Sequence, residues 1–194
     1  RVLDQLGVDY RINEGDGAFY GPKIDFHIED ALKRSHQCAT VQLDFQMPEK
    51  FDLSYVGEDN QRQRPVVIHR AIFGSVDRFI GILIEHYAGA FPTWLAPVQV
   101  KVMTIADAFA AYGEEVVSRL REVGIRGQLD DRDEKIGYKI REAQLHKVPY
   151  MLIVGEREQS DRTVAVRKRS DGDLGTQPLQ QFTEQVLEEI KNRQ

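Results

Sequence analysis

The pattern of apolar and polar positions divides the chain into two regions with different periodicities. In the first region, four runs with strand-like alternation precede one long run with helical spacing. The predicted strands cover 10–13, 23–28, 40–45 and 66–70, and the predicted helix covers 76–87. Strands that follow one another without intervening helices favour an antiparallel sheet, with the helix on one of its faces.

The second region alternates between the two periodicities. Its predicted strands cover 98–102, 125–129, 150–154 and 163–167, and its predicted helices cover 107–123, 135–148 and 179–190. Such alternation predicts a three-layer α/β domain with a mostly parallel, mixed sheet. Pro92 and Pro97 interrupt regular structure between the regions, so we predict domains at 1–96 and 97–194.

Composition narrows the class of protein. Apolar residues make up 41% of the chain and charged residues 29%, a mixture typical of soluble globular domains. No run approaches the about 20 apolar residues of a membrane-spanning helix. The single Cys38 cannot form an internal disulfide, which favours a cytoplasmic location. Because the chain begins at Arg1 without an initiator Met, we expect it to be a piece of a longer protein.

The net charge of −5 excludes a surface covered in positive charge. A local basic group is nevertheless present, and it consists of Arg157, Arg162 and the run 167–169. The pattern alone favours a solvated strand end for this group.

Two predicted strands of the first region have one polar face each. Lys23, Asp25 and His27 alternate with apolar residues, which predicts one polar face and one buried face. Thr40, Gln42 and Asp44 do the same in the next long strand. A row of hydrogen-bonding side chains suits a small polar ligand, although an ordinary solvated sheet face has the same pattern.

These two segments, together with residues 69–79 (HRAIFGSVDRF), resemble the threonyl-tRNA synthetase family. The third segment resembles motif 3 of class II synthetases, which is a strand, a glycine-containing turn and a helix bearing an arginine. The resemblance runs from about residue 10 to the C-terminal helix, and it is specific because all three segments occur in order. It implies the C-terminal part of a class II catalytic domain with an antiparallel sheet, followed by an anticodon-binding domain.

The resemblance also implies a reaction and its partners. Threonine would be joined to its tRNA at the expense of ATP, through a threonyl-adenylate, in a homodimer of the full-length protein. Magnesium would accompany the ATP. Motifs 1 and 2 of class II synthetases are missing from this sequence, so we expect the chain alone to be inactive.

Several residues match functional positions of the family. Catalytic roles are implied for Arg78, Lys23 and Gln37, and contacts with substrate or ATP are implied for Tyr20, Thr40, Gln42 and Arg78. A guanidinium in the first turn of a helix, beside exposed N–H groups, suits an anionic ligand. His69 matches one of three zinc ligands of the family, and the other two would lie outside this chain, because Cys38 does not match the family's zinc cysteine.

The second domain has its own matching positions. Asp133, Arg141, Glu158 and Arg167 match residues that face anticodon bases, while Lys147 and Arg157 are expected to hold the RNA backbone. Family members often have Asn at the position of Asp133. A carboxylate only accepts hydrogen bonds, so the base contact of Asp133 is expected to differ.

Two alternative functions stay open at this point. The first is a noncatalytic, synthetase-like module that binds RNA. The second is a synthetase for proline, glycine or histidine, since these enzymes share the C-terminal domain. The presence of Lys23, Gln37, Thr40, His69 and Arg78 favours the threonine enzyme over a module that only binds RNA.

Overall fold

The computed structural model describes residues 1–193, which form two compact units. The first unit is Arg1–His86, and the second begins at Tyr87. Residues 88–97 therefore pack with the second unit. The domain boundary predicted after residue 96 stays a prediction.

The first unit contains a three-stranded antiparallel sheet, as the pattern predicts. In chain order its elements are α1 (Val2–Gln5), β1 (Lys23–Glu29), β2 (Ser35–Asp44), α2 (Gln46–Lys50), β3 (Tyr55–Val56), β4 (Arg62–Gln63), β5 (Val67–Ala71) and α3 (Val76–His86). The sheet has the order β1-β2-β5, and β3 and β4 form a separate hairpin. The central position of β2 places its residues between those of the other two strands.

The strand predicted at 10–13 is wrong, because this segment has no regular secondary structure. Tyr10 and Ile12 are exposed, and the hydroxyl of Tyr10 donates a hydrogen bond to Asp4. Four alternating residues without a pairing strand cannot form a stable sheet by themselves.

The apolar face of β1 is not buried in this structure. Ile24, Phe26 and Ile28 are 41%, 49% and 43% exposed. The alternation was correct about which residues share a face, but no element of the described chain covers that face.

A β-bulge changes the alternation of β2. Asp25 pairs with Thr40 and Phe26 with Ala39, whereas His27 pairs with Gln37, so Cys38 is the extra residue. Because opposed residues share a face, the bulge moves Gln37 to the face that Thr40 occupies. Strict alternation would have placed Gln37 on the opposite face.

The second unit is a mixed α/β domain. Its elements are β6 (Val100–Thr104), a 3-10 turn (Asp107–Phe109), α4 (Ala110–Glu122), β7 (Gly127–Asp130), α5 (Ile136–Leu145), β8 (Tyr150–Val154), α6 (Glu156–Asp161), β9 (Thr163–Lys168), β10 (Gly172–Pro178) and α7 (Leu179–Lys191). The sheet order is β10-β9-β8-β6-β7. Strands β7, β6 and β8 are parallel, and β9 is antiparallel to both β8 and β10. Four of the five strands therefore run in one direction, which confirms the predicted mostly parallel, mixed sheet.

Helices cover both faces of this sheet and make three layers. On one face, Val102 of β6 and Leu152 of β8 pack with Leu120 of α4 and Phe182 of α7. On the other face, Met103 and Met151 pack with Ala143 of α5 and with Val148. The second core is smaller and includes no buried residue of β9 or β10. We call the sheet face on which α5 packs the α5 face. The half of this face formed by β9 and β10 is therefore not covered by a helix of the described chain.

Candidate functional sites

The carboxylate of Asp25 connects three predicted site residues on the first sheet. Its Oδ2 is 2.8 Å from Nζ of Lys23, and its Oδ1 accepts a 2.8 Å hydrogen bond from Oγ1 of Thr40. The bulge at Cys38 places Gln37 on the same face, where its side chain helps to lower the pKa of Asp25. The ammonium of Lys23 lowers the pKa of Asp25 below its usual value, and Asp25 in turn raises the pKa of Lys23. The pair is thus fully charged at neutral pH.

A second cluster lies beside the first on the same sheet face. Gln42 pairs with Lys23 on one side and with His69 on the other. The hydroxyl of Tyr20 donates a 2.7 Å hydrogen bond to Oε1 of Gln42, and the ring of Tyr20 lies 5.9 Å from that of His69 in an edge-to-face contact. The structure thus brings Tyr20, Gln42 and His69 together.

Asp44 orients the imidazole of His69. Its Oδ1 accepts the N–H groups of Gln46 and Met47 at the start of α2, and its Oδ2 lies 2.9 Å from Nε2 of His69. The N–H of Met47 and then His69 lower the pKa of Asp44, which is buried. Since a carboxylate only accepts, Nε2 of His69 is the donor and Nδ1 is left as the basic nitrogen.

The fit of His69 to a zinc ion can be judged from these contacts. A histidine that donates one ring N–H to a carboxylate and presents the other nitrogen has the usual arrangement of a metal ligand. Within residues 1–193, however, no group of three His, Cys, Asp or Glu side chains could hold a metal ion. His69 therefore fits one ligand position of a zinc site, and the described chain does not complete it.

Arg78 lies in the first turn of α3, as predicted. Its backbone N–H is 3.4 Å from Oγ of Ser75, and its guanidinium is exposed and makes no ion pair within the described residues. Gly74, in the turn before α3, approaches the carbonyl oxygen of Cys38 closely enough that a Cβ would lie 3.0 Å from it. The turn therefore packs against the bulge of β2, but no hydrogen bond or ion pair among residues 1–193 joins the side chain of Arg78 to the sheet-face residues.

The second unit has a different candidate site, on the uncovered half of the α5 face. Register places Ile153 of β8, Ala165 and Arg167 of β9, and Thr176 of β10 on this face. The guanidinium of Arg167 lies 3.1 Å from Asp173. Ile153 and Ala165 are half-buried, so they form a small apolar floor beside Arg167. We call this surface the open half-face.

The four residues predicted to face anticodon bases lie at different elements of the second unit. Arg167 lies on the open half-face, and Arg141 is exposed on α5. Glu158 is in the first turn of α6, where its Oε2 accepts the N–H of Gly155 at 3.0 Å. Asp133 is exposed in the loop between β7 and α5. No hydrogen bond or ion pair joins any two of the four within the described chain.

The local basic group is largely engaged in intramolecular contacts. Lys168 pairs with Glu189 at 3.0 Å, and Arg162 pairs with Glu115 through two hydrogen bonds of 2.7 and 2.8 Å. Arg169 donates to backbone carbonyls, including that of Phe91 at 2.9 Å. The interpretation of a solvated strand end is therefore wrong for Lys168 and Arg169, which are partly buried, whereas Arg162 is exposed although it is paired.

Lys147 and Arg157 differ in their environments. Lys147 donates from Nζ to the carbonyl oxygen of Ala88. Arg157 is exposed and has no ion pair among the described residues. The expectation that both hold the RNA backbone stays a prediction.

The sequence interpretation left Asp25 and Asp44 out of the candidate site. Both were placed on the correct sheet face by alternation. The pattern could not indicate that each carboxylate organises other site residues, because that depends on side-chain contacts across strands.

Comparison with known proteins connects these sites to a family. Residues 1–87 match the family model "tRNA synthetase class II core domain (G, H, P, S and T)", and residues 99–189 match "Anticodon binding domain". The threonine–tRNA ligase of Clostridium tetani is 64% identical over 192 residues, which is 99% of this chain and 30% of that protein. That of Carboxydothermus hydrogenoformans is 62% identical with the same coverage. The chain belongs to the threonyl-tRNA synthetase family.

A solved structure supports this membership. The RNA binding domain of threonyl-tRNA synthetase from Cryptosporidium parvum is 43% identical, with a TM-score of 0.82 over 96% of this chain and 47% of that chain. The family and its two domain types, a class II core and an anticodon-binding domain, are thereby confirmed. The chain spans about 30% of the length of the curated threonyl-tRNA synthetases that it matches. None of the helices within residues 1–193 is long and apolar enough to cross a membrane.

Proposed function

We propose that this chain provides part of the threonine- and ATP-binding surface and the anticodon-binding domain of a threonine–tRNA ligase. The observation that carries the proposal is the polar face of the first sheet. There Lys23 and Thr40 contact Asp25, and the bulge of β2 places Gln37 on the same face. Tyr20, Gln42 and His69 lie beside them. A half-buried face lined by paired charges and hydrogen-bonding groups suits a ligand with both an amino acid and a phosphate group.

The reaction has two steps. The carboxylate of threonine attacks the α-phosphorus of ATP, which forms threonyl-adenylate and releases pyrophosphate. A hydroxyl of the terminal ribose of tRNA then attacks the acyl carbon and AMP leaves. No covalent enzyme intermediate is required, so the protein acts by positioning the reactants and stabilising developing charge.

Residues of this chain would divide these tasks. Arg78, at the start of α3, would bind a phosphate group of ATP, and magnesium would neutralise the remaining phosphate charge. Gln37 and Thr40 would contact ATP, while Tyr20, Lys23 and Gln42 would line the pocket for threonine or the adenylate. These roles come from the family resemblance, and the contacts described above supply their physical support.

His69 would hold zinc through Nδ1, together with two ligands from outside this chain. A Lewis acid that binds both the amino group and the hydroxyl of threonine would reject valine, which an apolar pocket of the same shape admits. The role of this chain toward the metal is limited to presenting one oriented imidazole.

The second unit would bind threonine tRNA. Arg141, Arg167 and Glu158 would hydrogen-bond to bases of the anticodon loop, with Asp133 acting as an acceptor. We place the full protein in the cytoplasm as a homodimer.

A noncatalytic RNA-binding module is the alternative. A chimera in which this chain replaces the matching segment of the Clostridium tetani ligase separates the two functions. Threonine-dependent exchange of pyrophosphate into ATP is expected for the chimera, and proline, glycine and histidine should not support it. Loss of exchange in a folded chimera would favour the module. The 194-residue chain alone should not aminoacylate tRNA.

Arg167→Ala in the same chimera tests the division of labour. Charging of tRNA should fall while pyrophosphate exchange is unchanged, because exchange requires no tRNA. Arg119→Ala, on α4 at the opposite sheet face, is the matched control and should affect neither activity. Equal loss of charging and exchange in the Arg167 variant would contradict the proposal.

A further inference from the structure

Gly137 occupies a position at which nothing in the described chain requires glycine. It lies in the first turn of α5, and its φ is outside the left-handed region. A Cβ added to it would meet no atom within 4 Å. Glycine lowers helix stability relative to alanine, so its presence here weakens α5 without an intramolecular gain.

The contacts of α5 establish which way Gly137 faces. Ile140 and Ala143 pack on the sheet. One flank of the helix contacts the end of β7, where Lys139 donates to the carbonyl oxygen of Asp130 at 3.2 Å. On the same flank, Glu142 pairs with Arg132. The opposite flank consists of residues spaced by four and three, namely Gly137, Arg141 and Gln144. Since β8 and β9 lie on the other side of β6 from β7, this flank borders the open half-face.

The flank and the open half-face together form a surface suited to a nucleobase. Ile153 and Ala165 provide an apolar floor, and Arg141 and Arg167 provide guanidinium donors on two sides. Unpaired bases of RNA loops are bound by stacking and by hydrogen bonds to their edges, which these groups can supply. A side chain at position 137 would project into the same space.

We infer that an unpaired base of the anticodon loop lies in direct contact with the backbone of α5 at Gly137. Because glycine has no Cβ, the base can approach the backbone of α5 more closely than any other residue would allow. The same glycine makes α5 less stable than alanine would. This inference rests on the proposed function, because it adds a contact residue to the same RNA-binding site.

The test uses the 194-residue chain and a fluorescently labelled anticodon stem-loop of threonine tRNA. Gly137→Ala should weaken binding by roughly tenfold, since a methyl group placed in a closely packed contact forces displacement. The melting temperature of the same variant should rise by about 2–5 °C, because alanine favours the helix. Gly137→Leu, with a larger side chain that also favours helices, should weaken binding further.

Two controls make the outcomes distinguishable. Ser118→Ala changes an exposed position of α4 on the opposite sheet face, and should leave binding unchanged. Arg167→Ala should weaken binding whether or not Gly137 is a contact. If Arg167→Ala weakens binding while Gly137→Ala binds as tightly as the wild type, the inference is wrong and the proposed function stands.

Two further results would also overturn the inference. A loss of both binding and thermal stability in Gly137→Ala would assign the glycine a structural role. A wild-type chain that binds equally well to stem-loops with threonine and unrelated anticodons would contradict the proposed function itself.

Discussion

Asp44 determines which nitrogen of His69 is free to bind a ligand. As a carboxylate it accepts a hydrogen bond from Nε2–H, so the lone pair of the imidazole is on Nδ1. In Asp44→Asn the amide oxygen can still cap α2, while its NH₂ group would donate to Nε2. We therefore expect the variant to favour the opposite tautomer, with the proton on Nδ1.

Nitrogen-15 NMR of the imidazole groups measures this change in the 194-residue chain at neutral pH. In the variant, the Nδ1 resonance of His69 should take the chemical shift of a protonated nitrogen, and the Nε2 resonance that of an unprotonated one. The resonances of His27, whose Nδ1 lies 3.2 Å from Oγ of Ser35, should not move. Unaltered His69 resonances in a folded Asp44→Asn variant would show that Asp44 does not select the tautomer.

Asp130 is a second buried carboxylate, and its contribution depends on pH. Arg132 lowers its pKa most, with bonds of 2.8 and 2.7 Å, and Lys101 adds an ion pair at 3.6 Å. A lowered pKa means that the charged form stabilises the fold above the ordinary value of 3.8, and that this stability is lost as the pH falls through the folded value. Asp130→Asn should thus cost about 3 kcal/mol at pH 7.

Urea unfolding of both proteins from pH 7 down to pH 3 tests this expectation. The difference in unfolding free energy should be constant near neutrality. It should begin to narrow below about pH 4, where the carboxylate becomes protonated in the unfolded chain while it stays charged in the folded protein. Asp133→Asn, in the exposed loop, serves as the control and should have little effect at any pH. A difference that persists unchanged at pH 3 would exclude charge as the cause.

At the level of elements, the bulge in β2 aligns the turn before α3 with the binding face. Gly74 has φ of 65° and packs against the carbonyl of Cys38. Gly74→Ala would both strain the backbone and press a methyl group on that oxygen, so it should destabilise the first unit by about 1–3 kcal/mol. Thermal unfolding measures the loss, and Gly81→Ala in α3, where a Cβ meets nothing within 4 Å, is the control.

The control should have the opposite sign, because alanine is favoured in the interior of a helix. Equal effects of Gly74→Ala and Gly81→Ala would mean that the turn is not constrained by the bulge.

The sequence predicts the long elements of the fold better than the short ones. Long helices such as α4 and α7 were predicted because many periodic positions support each one. The short α6 and the glycine-containing β10 were missed, since six polar residues or two glycines give no periodic signal. The bulge was equally invisible, because alternation assumes one residue per partner, so only the family resemblance placed Gln37 in the site.

For the whole molecule, burial was the property that periodicity predicted least well. Alternation assigned the faces of β1 and of residues 40–45 in β2 correctly, yet the apolar face of β1 is exposed. The inner strands β6 and β8 of the second sheet are buried. Whether an apolar face is covered depends on elements distant in sequence. The candidate site was therefore predictable as a face and a residue set, but its two organising carboxylates required the structure.

The segment 88–97 contains two prolines, a composition that predicts a connection between domains. Side chains of the second unit instead bind its backbone. Arg126 donates to the carbonyl oxygens of Trp94 at 2.7 Å and Ala96 at 3.0 Å, and Gln99 donates to that of Thr93 at 2.9 Å. The hydroxyl of Thr93 in turn donates to Glu189 of α7.

Glu189 joins this segment to the core of the second unit. It also accepts hydrogen bonds from the hydroxyl of Tyr150 at 2.5 Å and from Lys168 at 3.0 Å. Burial acts to raise the pKa of Glu189, but these three hydrogen bonds outweigh burial and lower it, while burial and Glu189 raise the pKa of Tyr150 to about 12. The carboxylate therefore stays ionised in a partly buried position, where it accepts the hydrogen bonds of all three partners.

We expect a chain of residues 87–194 to fold alone, and Glu189→Gln to lower its unfolding free energy by about 1–3 kcal/mol at pH 7. Glu184→Gln, on the exposed face of α7, should cost less than about 0.5 kcal/mol. Urea unfolding measures both, and limited proteolysis should detect new cleavage within 88–97 only in the Glu189 variant, because its loss releases Thr93. Equal stability of the two variants, or cleavage of 88–97 in the wild type, would mean that the segment is a free linker after all.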